Sequence, residues 1–453
     1  MPVDQKNHNG SDNSFYIYGG HLLSPESPSK YLDLRQGAIV VDGRGKIAGV
    51  GPLEAMRKRY PNAPVSDFGD RLILPGLIDL HIHLPQFTQI GKSGQTLLGW
   101  LEKYIFPAEM RFSDPEHARR IAHWFFEELA RNGTTFAAVF TTLHWQSTDV
   151  AFQVAKEMGS RVIMGKVLMD RNAPPSLQDD TDDSIARTLQ LCEKWHGQED
   201  GRLLYSFIPR FAITSTEKQM HEAAKLWHAH PGTYMHTHLA ESLEECVVVQ
   251  KMYPQSRSYT DVYERMGMLG ERSIYAHSIH LNDEDIKRLA QTNSSIAHCP
   301  SSNFFLKSGS FQYKRVENAG VRFGLGSDVA AGPYMSLFEV MRDANYMQGD
   351  DWLSPAECLY RATLGGAQAA FLDDKLGSLT EGKEADFIVV NPNRKSGIAA
   401  NILKQSTEEI LSSIVFMGDD RLIEATFVRG RCLFELESGL VTRAAQTYTG
   451  THN

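Results

Sequence analysis

Two histidines two residues apart, His81 and His83, close an apolar run, GLIDLHIH from Gly76. Residues two apart on an extended strand face the same way, about 6 to 7 Å apart at the backbone, so both imidazoles can reach one ion. Further along, His238 and Glu241 end TYMHTHLAE from Thr233, His277 lies in SIYAHSIHL from Ser273, and Asp328 ends VRFGLGSDV from Val321. A third imidazole from His238 and a carboxylate from Asp328 complete a nitrogen-and-oxygen set suited to a catalytic divalent metal, with a position left for water. His277 reads either as a further ligand or as a partner of that water, and the spacing leaves both open. A lone strand histidine is usually a hydrogen-bonded core residue. Several imidazoles and carboxylates buried together without a cation would cost several kcal/mol for each unpaired charge, so their joint placement argues for a metal. His236, His280 and His298 read as structural, and His123, His144 and His228 as helix or loop positions.

These residues need a frame that brings distant strand ends together. Besides the four segments above, GTTFAAVFTT from Gly133, RVIMGKVLMD from Arg161, LLYSFIPRFAI from Leu203 and SSIAHCP from Ser294 are short, β-rich and apolar almost throughout, as parallel strands buried on both faces should be. Amphipathic helix patterns lie between them. In EHARRIAHWFFEELARNG, Ile121, Phe125 and Leu129 recur at helical spacing and Asn132-Gly133 supplies a stop. Ser354-Pro355 supplies an N-cap and a first-turn proline ahead of AECLYRATLGGAQAAF. The eight βα units predict an α/β protein with a (β/α)8 barrel over residues 76–375. In that fold the C-terminal strand ends carry the active site, which is where these histidines and carboxylates fall. The flanks, 15–75 and 376–445, read as short strands with Gly-rich turns, too few at either end for a stable sheet. They are expected to meet in one discontinuous β-sandwich module.

The chain has 453 residues, enough for a barrel plus a satellite module. Lys+Arg 46 against Asp+Glu 55, a net charge of −9, argues against a nucleic-acid binder, which needs a basic face. No apolar run is long enough for a membrane span. Residues 1–14 are polar, without the apolar core of a signal peptide, and read as a disordered tail. The 5 cysteines include no Cys-x-x-Cys, so neither a disulfide framework nor a thiolate zinc site is encoded. These features favour the cytoplasm.

LPGLIDLHIHLPQ, followed in order by HLAE, AHSIHL, HCPSSNF and GLGSDVAAG, resembles the metal-dependent amidohydrolase superfamily from about Tyr18 to Leu433. LLGWLEKYIFPAEMRF after the first barrel strand and IPRF on the fourth narrow the resemblance to the guanine deaminase family. The resemblance implies hydrolysis of guanine to xanthine and ammonia by a homodimer with one zinc ion per chain. Iron or manganese would accept the same ligands. The implied metal set is His81, His83, His238 and Asp328, with His277 as ligand or neighbour. Displacing the C2 amino group needs a strong nucleophile at neutral pH, which a metal supplies by lowering the pKa of water to about 7. Glu241 is suited to protonate ring nitrogen N3 and then help the amine depart, Asp328 to take the proton of the attacking water, and His277 to assist beside it. By similarity Gln86, Arg210 and Phe211 bind the purine, together with His83, His238, Glu241 and Asp328. Arg210 suits the O6 carbonyl and Gln86 the N1 and N2 edge. Residues 100–109, on the first long loop of the barrel, are expected to cover the pocket.

The nearest rival is a deaminase of another aminated heterocycle, such as 8-oxoguanine, an s-triazine or an adenosine-like compound. It would share the metal set and differ at Gln86, Arg210 and Phe211. A binuclear site would need a modified lysine on the fourth strand, where LLYSFIPRF has none and Lys166 is one strand too early. The deaminases built on His-x-Glu with Pro-Cys-x-x-Cys are excluded by the missing cysteine pair. A barrel kept only as a scaffold would be expected to have lost a ligand or the proton carrier, and none is missing.

Overall fold

The computed structural model describes residues 14–93, 97–349, 352–395 and 405–436. Of the tail expected over 1–14 only Ser14 falls within these, and residues 437–445 of the expected sandwich lie outside them.

The N-terminal flank forms β1 (Phe15–Ser27), β2 (Lys30–Asp42), β3 (Ile47–Pro52) and β4 (Val65–Pro75). The apolar runs then form β5 (Leu77–His83), β6 (Thr134–Phe140), β7 (Arg161–Gly165), β8 (Val167–Leu168), β9 (Leu203–Pro209), β10 (Tyr234–Leu239), β11 (Ser273–His277), β12 (Ser295–His298) and β13 (Arg322–Leu325). The C-terminal flank gives β14 (Phe387–Val390), β15 (Ile423–Val428) and β16 (Arg431–Glu435).

The middle group is a parallel barrel in the order β13-β12-β11-β10-β9-β7-β6-β5. Every residue of β5, β6, β7 and β10 is buried, because helices cover the outside and side chains fill the inside. The first and last strands are clasped at their C-terminal ends. The Asp328 amide donates to the His81 carbonyl at 2.8 Å, and the Ser327 amide to Asp79 Oδ1 at 3.0 Å. Gly326 permits that approach, since a Cβ there would stand 3.0 Å from both the His81 Cβ and the Cys299 sulfur. RVIMGKVLMD, expected as one strand, is two, β7 and β8. Gly165 lies so close to β9 that a Cβ would meet the Ser206 carbonyl oxygen at 1.8 Å. Lys166, between the two strands, turns its ammonium away to Asp179 and Ser184.

The helix Pro115–Arg131 begins at Asp114, whose carboxylate accepts from the Glu116 amide at 2.9 Å, and it buries Ile121, Phe125 and Leu129. Ser354 caps its helix as expected, accepting from the Glu357 amide at 3.1 Å. The run after it divides into Pro355–Arg361 and Leu364–Ala369. At the break Thr363 leaves helical geometry (φ −133°, ψ −96°), and its hydroxyl donates back to the Leu359 carbonyl at 2.6 Å.

The two chain ends form the sandwich module, with strands in the order β16-β15-β14-β4-β1-β2-β3. The ends meet where β14 pairs antiparallel with β4. Tyr18, Leu22, Ile39, Ile73, Phe387 and Phe427 fill its core, with the last two rings stacked at 4.4 Å. A buried ion cluster ties it to the barrel. Arg161 of β7 pairs with Asp386 at 2.8 Å and with Glu384, which Arg429 also contacts. Among the described residues no helix is long and apolar enough to cross a membrane.

Candidate active site

Strands β5, β10 and β11 and the turn after β13 each deliver one or two polar side chains to the same end of the barrel. His83 Nε2 lies 3.1 Å from His81 Nε2, 3.3 Å from His238 Nε2 and 3.2 Å from Asp328 Oδ1, and His81 Nε2 lies 3.3 Å from that same oxygen. All four residues are at most 8 % exposed. Donor atoms in a tetrahedral shell with bonds of about 2.0–2.1 Å are separated by about 3.3 Å, so the set has the spacing of a single-metal site. His277 stands at the edge of the group, its Nε2 3.6 Å from Asp328 Oδ2 and 3.5 Å from Glu241 Oε2. Ligand atoms of His81, His238, His277 and Asp328 all fall within 4.8 Å of one another.

The far nitrogens are engaged, which fixes the rings. His238 Nδ1 donates to the Arg210 carbonyl at 2.7 Å, His81 Nδ1 bonds to His236 Nε2 at 3.0 Å, and His277 Nδ1 to Asn303 Oδ1 at 3.0 Å. The Nε2 atoms are thereby left to converge. Burial pushes His81 down to about 3, with His83 and His238 also lowered, so these imidazoles are neutral and present lone pairs. Burial alone would raise Asp328, but its close neighbours His81, His83 and His277 outweigh that and hold it well below the usual carboxylate range. Neutral imidazoles crowded around a carboxylate, with His277 Nε2 buried and without a hydrogen-bond partner among the described residues, are the donor set a divalent cation requires. Burial pushes Glu241 the other way, up to about 7. The backbone is strained at this rim: Ala240, His277, Ser278 and Asp328 have φ of 49°, 68°, 52° and 49°. Such conformations cost about 1–3 kcal/mol each and gather at functional sites.

A cavity opens over the cluster, lined by His83, Gln86, Arg210, His238, Glu241, His277 and Asp328, with Leu97, Trp100, Leu101, Leu306 and Ala331 as apolar walls. The loop expected to cover the pocket therefore supplies two of the walls, Trp100 and Leu101. Phe211 is set back. It does not line the cavity; its ring is 6.3 Å from that of His238 and its carbonyl accepts from the Thr214 and Ser215 amides. Arg210 is not a surface ion pair: it is 3 % exposed and bonded to buried Glu109 at 2.7 Å.

The sequence reading missed four supports. Asp79 accepts from the amides of His81 (3.1 Å) and Ser327 (3.0 Å) and from the Ser327 hydroxyl at 2.5 Å. Its position two before His81 was an available signal. His236, read as structural, orients His81, and it shares a strand face with His238 by the same two-residue spacing. Asn303 and Glu109 reach the site from helices whose local patterns carry no such mark.

A (β/α)8 barrel whose first strand carries His-x-His, with a further histidine from β10 and an aspartate from the turn after β13, has the architecture of a metal-dependent hydrolase. The sequence profile of the Amidohydrolase family matches residues 72–433, and the chain belongs to that family. Within it, the chain is 40 % identical over 423 residues to the guanine deaminase of Escherichia coli, covering 91 % of this chain and 94 % of that one. The solved structure of E. coli guanine deaminase superposes with a TM-score of 0.90 at 38 % identity, over 93 % of this chain and 100 % of that one. A guanine deaminase structure from C. acetobutylicum with bound guanine in the active site superposes at 0.86 and 32 % identity, over 93 % and 100 %.

Proposed function

We propose that this protein hydrolyses guanine to xanthine and ammonia, using one zinc ion held by His81, His83, His238 and Asp328. The observation that carries the reading is the convergence of their four donor atoms, 3.1–3.3 Å apart where measured from His83, beneath a cavity that also presents Arg210 and Gln86. The guanine deaminase relatives support the choice of substrate.

When bound, a divalent ion here brings the pKa of water to about 7 and so supplies a nucleophile near neutrality. The chain's own residues do the rest. Leu97, Trp100 and Leu101 offer apolar surface to the flat faces of a purine and exclude bulk water. Arg210 donates to O6, and Gln86 meets the N1 and N2 edge, placing C2 over the cluster. Asp328 takes the proton of the attacking water. Glu241 protonates N3 as the ring accepts electrons, then helps deliver a proton to the leaving amine. His277 occupies the gap between these two carboxylates and steadies the charge passing between them. We assign Phe211 a supporting role, holding the turn that carries Arg210. A homodimer in the cytoplasm completes the proposal.

The test is a panel of aminated purines, pyrimidines and s-triazines, scored by ammonia release. Guanine should be preferred by orders of magnitude in kcat/KM. A higher value for 8-oxoguanine, a triazine or adenosine would transfer the assignment to that substrate.

A further inference from the structure

We propose that Glu109 is a positioning residue that sets which hydrogen-bonding pattern the pocket accepts; this rests on the reading of Arg210 and Gln86 given above. Glu109 lies in the short helix Phe106–Met110 and is 2 % exposed, although nothing about a loop helix requires a buried carboxylate. Both candidate purine readers converge on one of its oxygens. Arg210 Nη1 donates to Oε1 at 2.7 Å and Gln86 Nε2 donates to the same atom at 3.3 Å. Arg210 and Gln86 line the cavity; Glu109 does not, so it acts through them.

The consequence lies in the polarity of the pocket. A glutamine amide can present either its NH2 or its oxygen, and its orientation is set by its partners. A carboxylate only accepts, so Glu109 draws the Gln86 NH2 toward itself and leaves the Gln86 oxygen as an acceptor toward the cavity. The same carboxylate neutralises and anchors the arginine, which only donates. The pocket therefore offers a donor at one point of the purine edge and an acceptor beside it. Guanine presents the complement, an O6 acceptor next to N–H donors. A 6-amino purine presents a donor where O6 would be and so opposes Arg210. Glu109 is thus the group that makes the pocket read a 6-oxo purine.

The test uses the full-length metal-loaded protein, with guanine as substrate and 2,6-diaminopurine as competitor. In Glu109→Gln the new amide can donate as well as accept, Gln86 is free to turn over, and Arg210 loses its counter-charge. We expect KM for guanine to rise roughly ten- to hundredfold, the range for losing a charged hydrogen bond, with a smaller change in kcat. The apparent Ki for 2,6-diaminopurine should change far less, so that discrimination collapses. Glu109→Asp, which keeps the charge, should retain part of the discrimination. In an Arg210→Met background the effect of Glu109→Gln should shrink, because its main partner is gone. Equal loss toward both ligands, or a fall in kcat with KM and discrimination unchanged, would overturn the proposal. So would strictly multiplicative effects in the double variant. If Arg210→Met alone leaves guanine kinetics untouched, it is the assignment of Arg210 as reader that fails.

Discussion

The Nε2 atoms of His83 and His238 face each other at 3.3 Å although the residues are 155 positions apart. His238 Nδ1 is already committed to the Arg210 carbonyl, and burial holds both rings neutral. Two lone pairs so placed are stable only around a shared cation or proton. We predict that chelation lowers the melting temperature of the wild-type protein by several degrees, since a ligand bound only to the folded state adds stability. His238→Ala should purify with little metal, and its melting temperature should not respond to chelator. An equal response in both proteins would remove His238 from the metal set.

The Glu241 carboxylate accepts a long hydrogen bond from Ser308 Oγ at 3.4 Å and has His277 Nε2 beside it at 3.5 Å, a loose hold that suits a group exchanging its proton. Glu241→Gln keeps the shape and removes the exchangeable acid. Metal content should stay at the wild-type level while kcat falls about 10²–10⁴-fold, the usual contribution of a general acid–base group. Loss of metal in this variant would place Glu241 among the ligands instead.

Asp79 holds the two ends of the barrel seam by accepting from the His81 and Ser327 amides, and so fixes the backbone at one proposed ligand, His81, and next to another, Asp328. Supports of this kind are commonly worth about 10–100-fold in metal affinity. Asp79→Ala should weaken metal binding by that factor in a competition titration with a chelating dye. Asp79→Asn, which keeps an acceptor for the amides, should lose less. Unchanged affinity in the alanine variant would show that the seam holds without it.

Burial would raise Glu384, but Arg161 and Arg429 outweigh it and hold the carboxyl at about 2, below its ordinary value of 4.5. Its folded pKa is depressed, so its contribution to stability is full above about pH 5 and disappears as pH falls from 4.5 toward 2. At about 1.4 kcal/mol per pH unit, that contribution is at most about 3.5 kcal/mol. Urea unfolding should show Glu384→Gln clearly less stable than wild type at pH 7, with the gap closing toward pH 3. A gap independent of pH would mean that packing, not charge, joins the sandwich to the barrel here.

The strand ends were legible because two physical rules act locally. Parallel strands buried on both faces are apolar throughout, so a histidine or aspartate at the end of one stands out. The two-residue period then places His81 and His83 together without any tertiary information. The break of β7 and β8 at Lys166 was not legible, because it depends on Gly165 touching the Ser206 carbonyl of the next strand. Glu109 escaped for a related reason. Its burial is set by Arg210, 101 positions later, and a carboxylate in a loop reads as solvated until its partner is known. The packing of the Phe211 ring in the apolar core of the barrel was not legible either, because its position beside Arg210 does not say which way the ring turns.

The most direct test is to strip the protein of metal and add zinc back stepwise while following xanthine formed from guanine. Turnover should be absent without metal and rise linearly until it levels off at one zinc per chain. Turnover by the stripped protein, or a fully loaded protein that forms no xanthine, would contradict the proposed function.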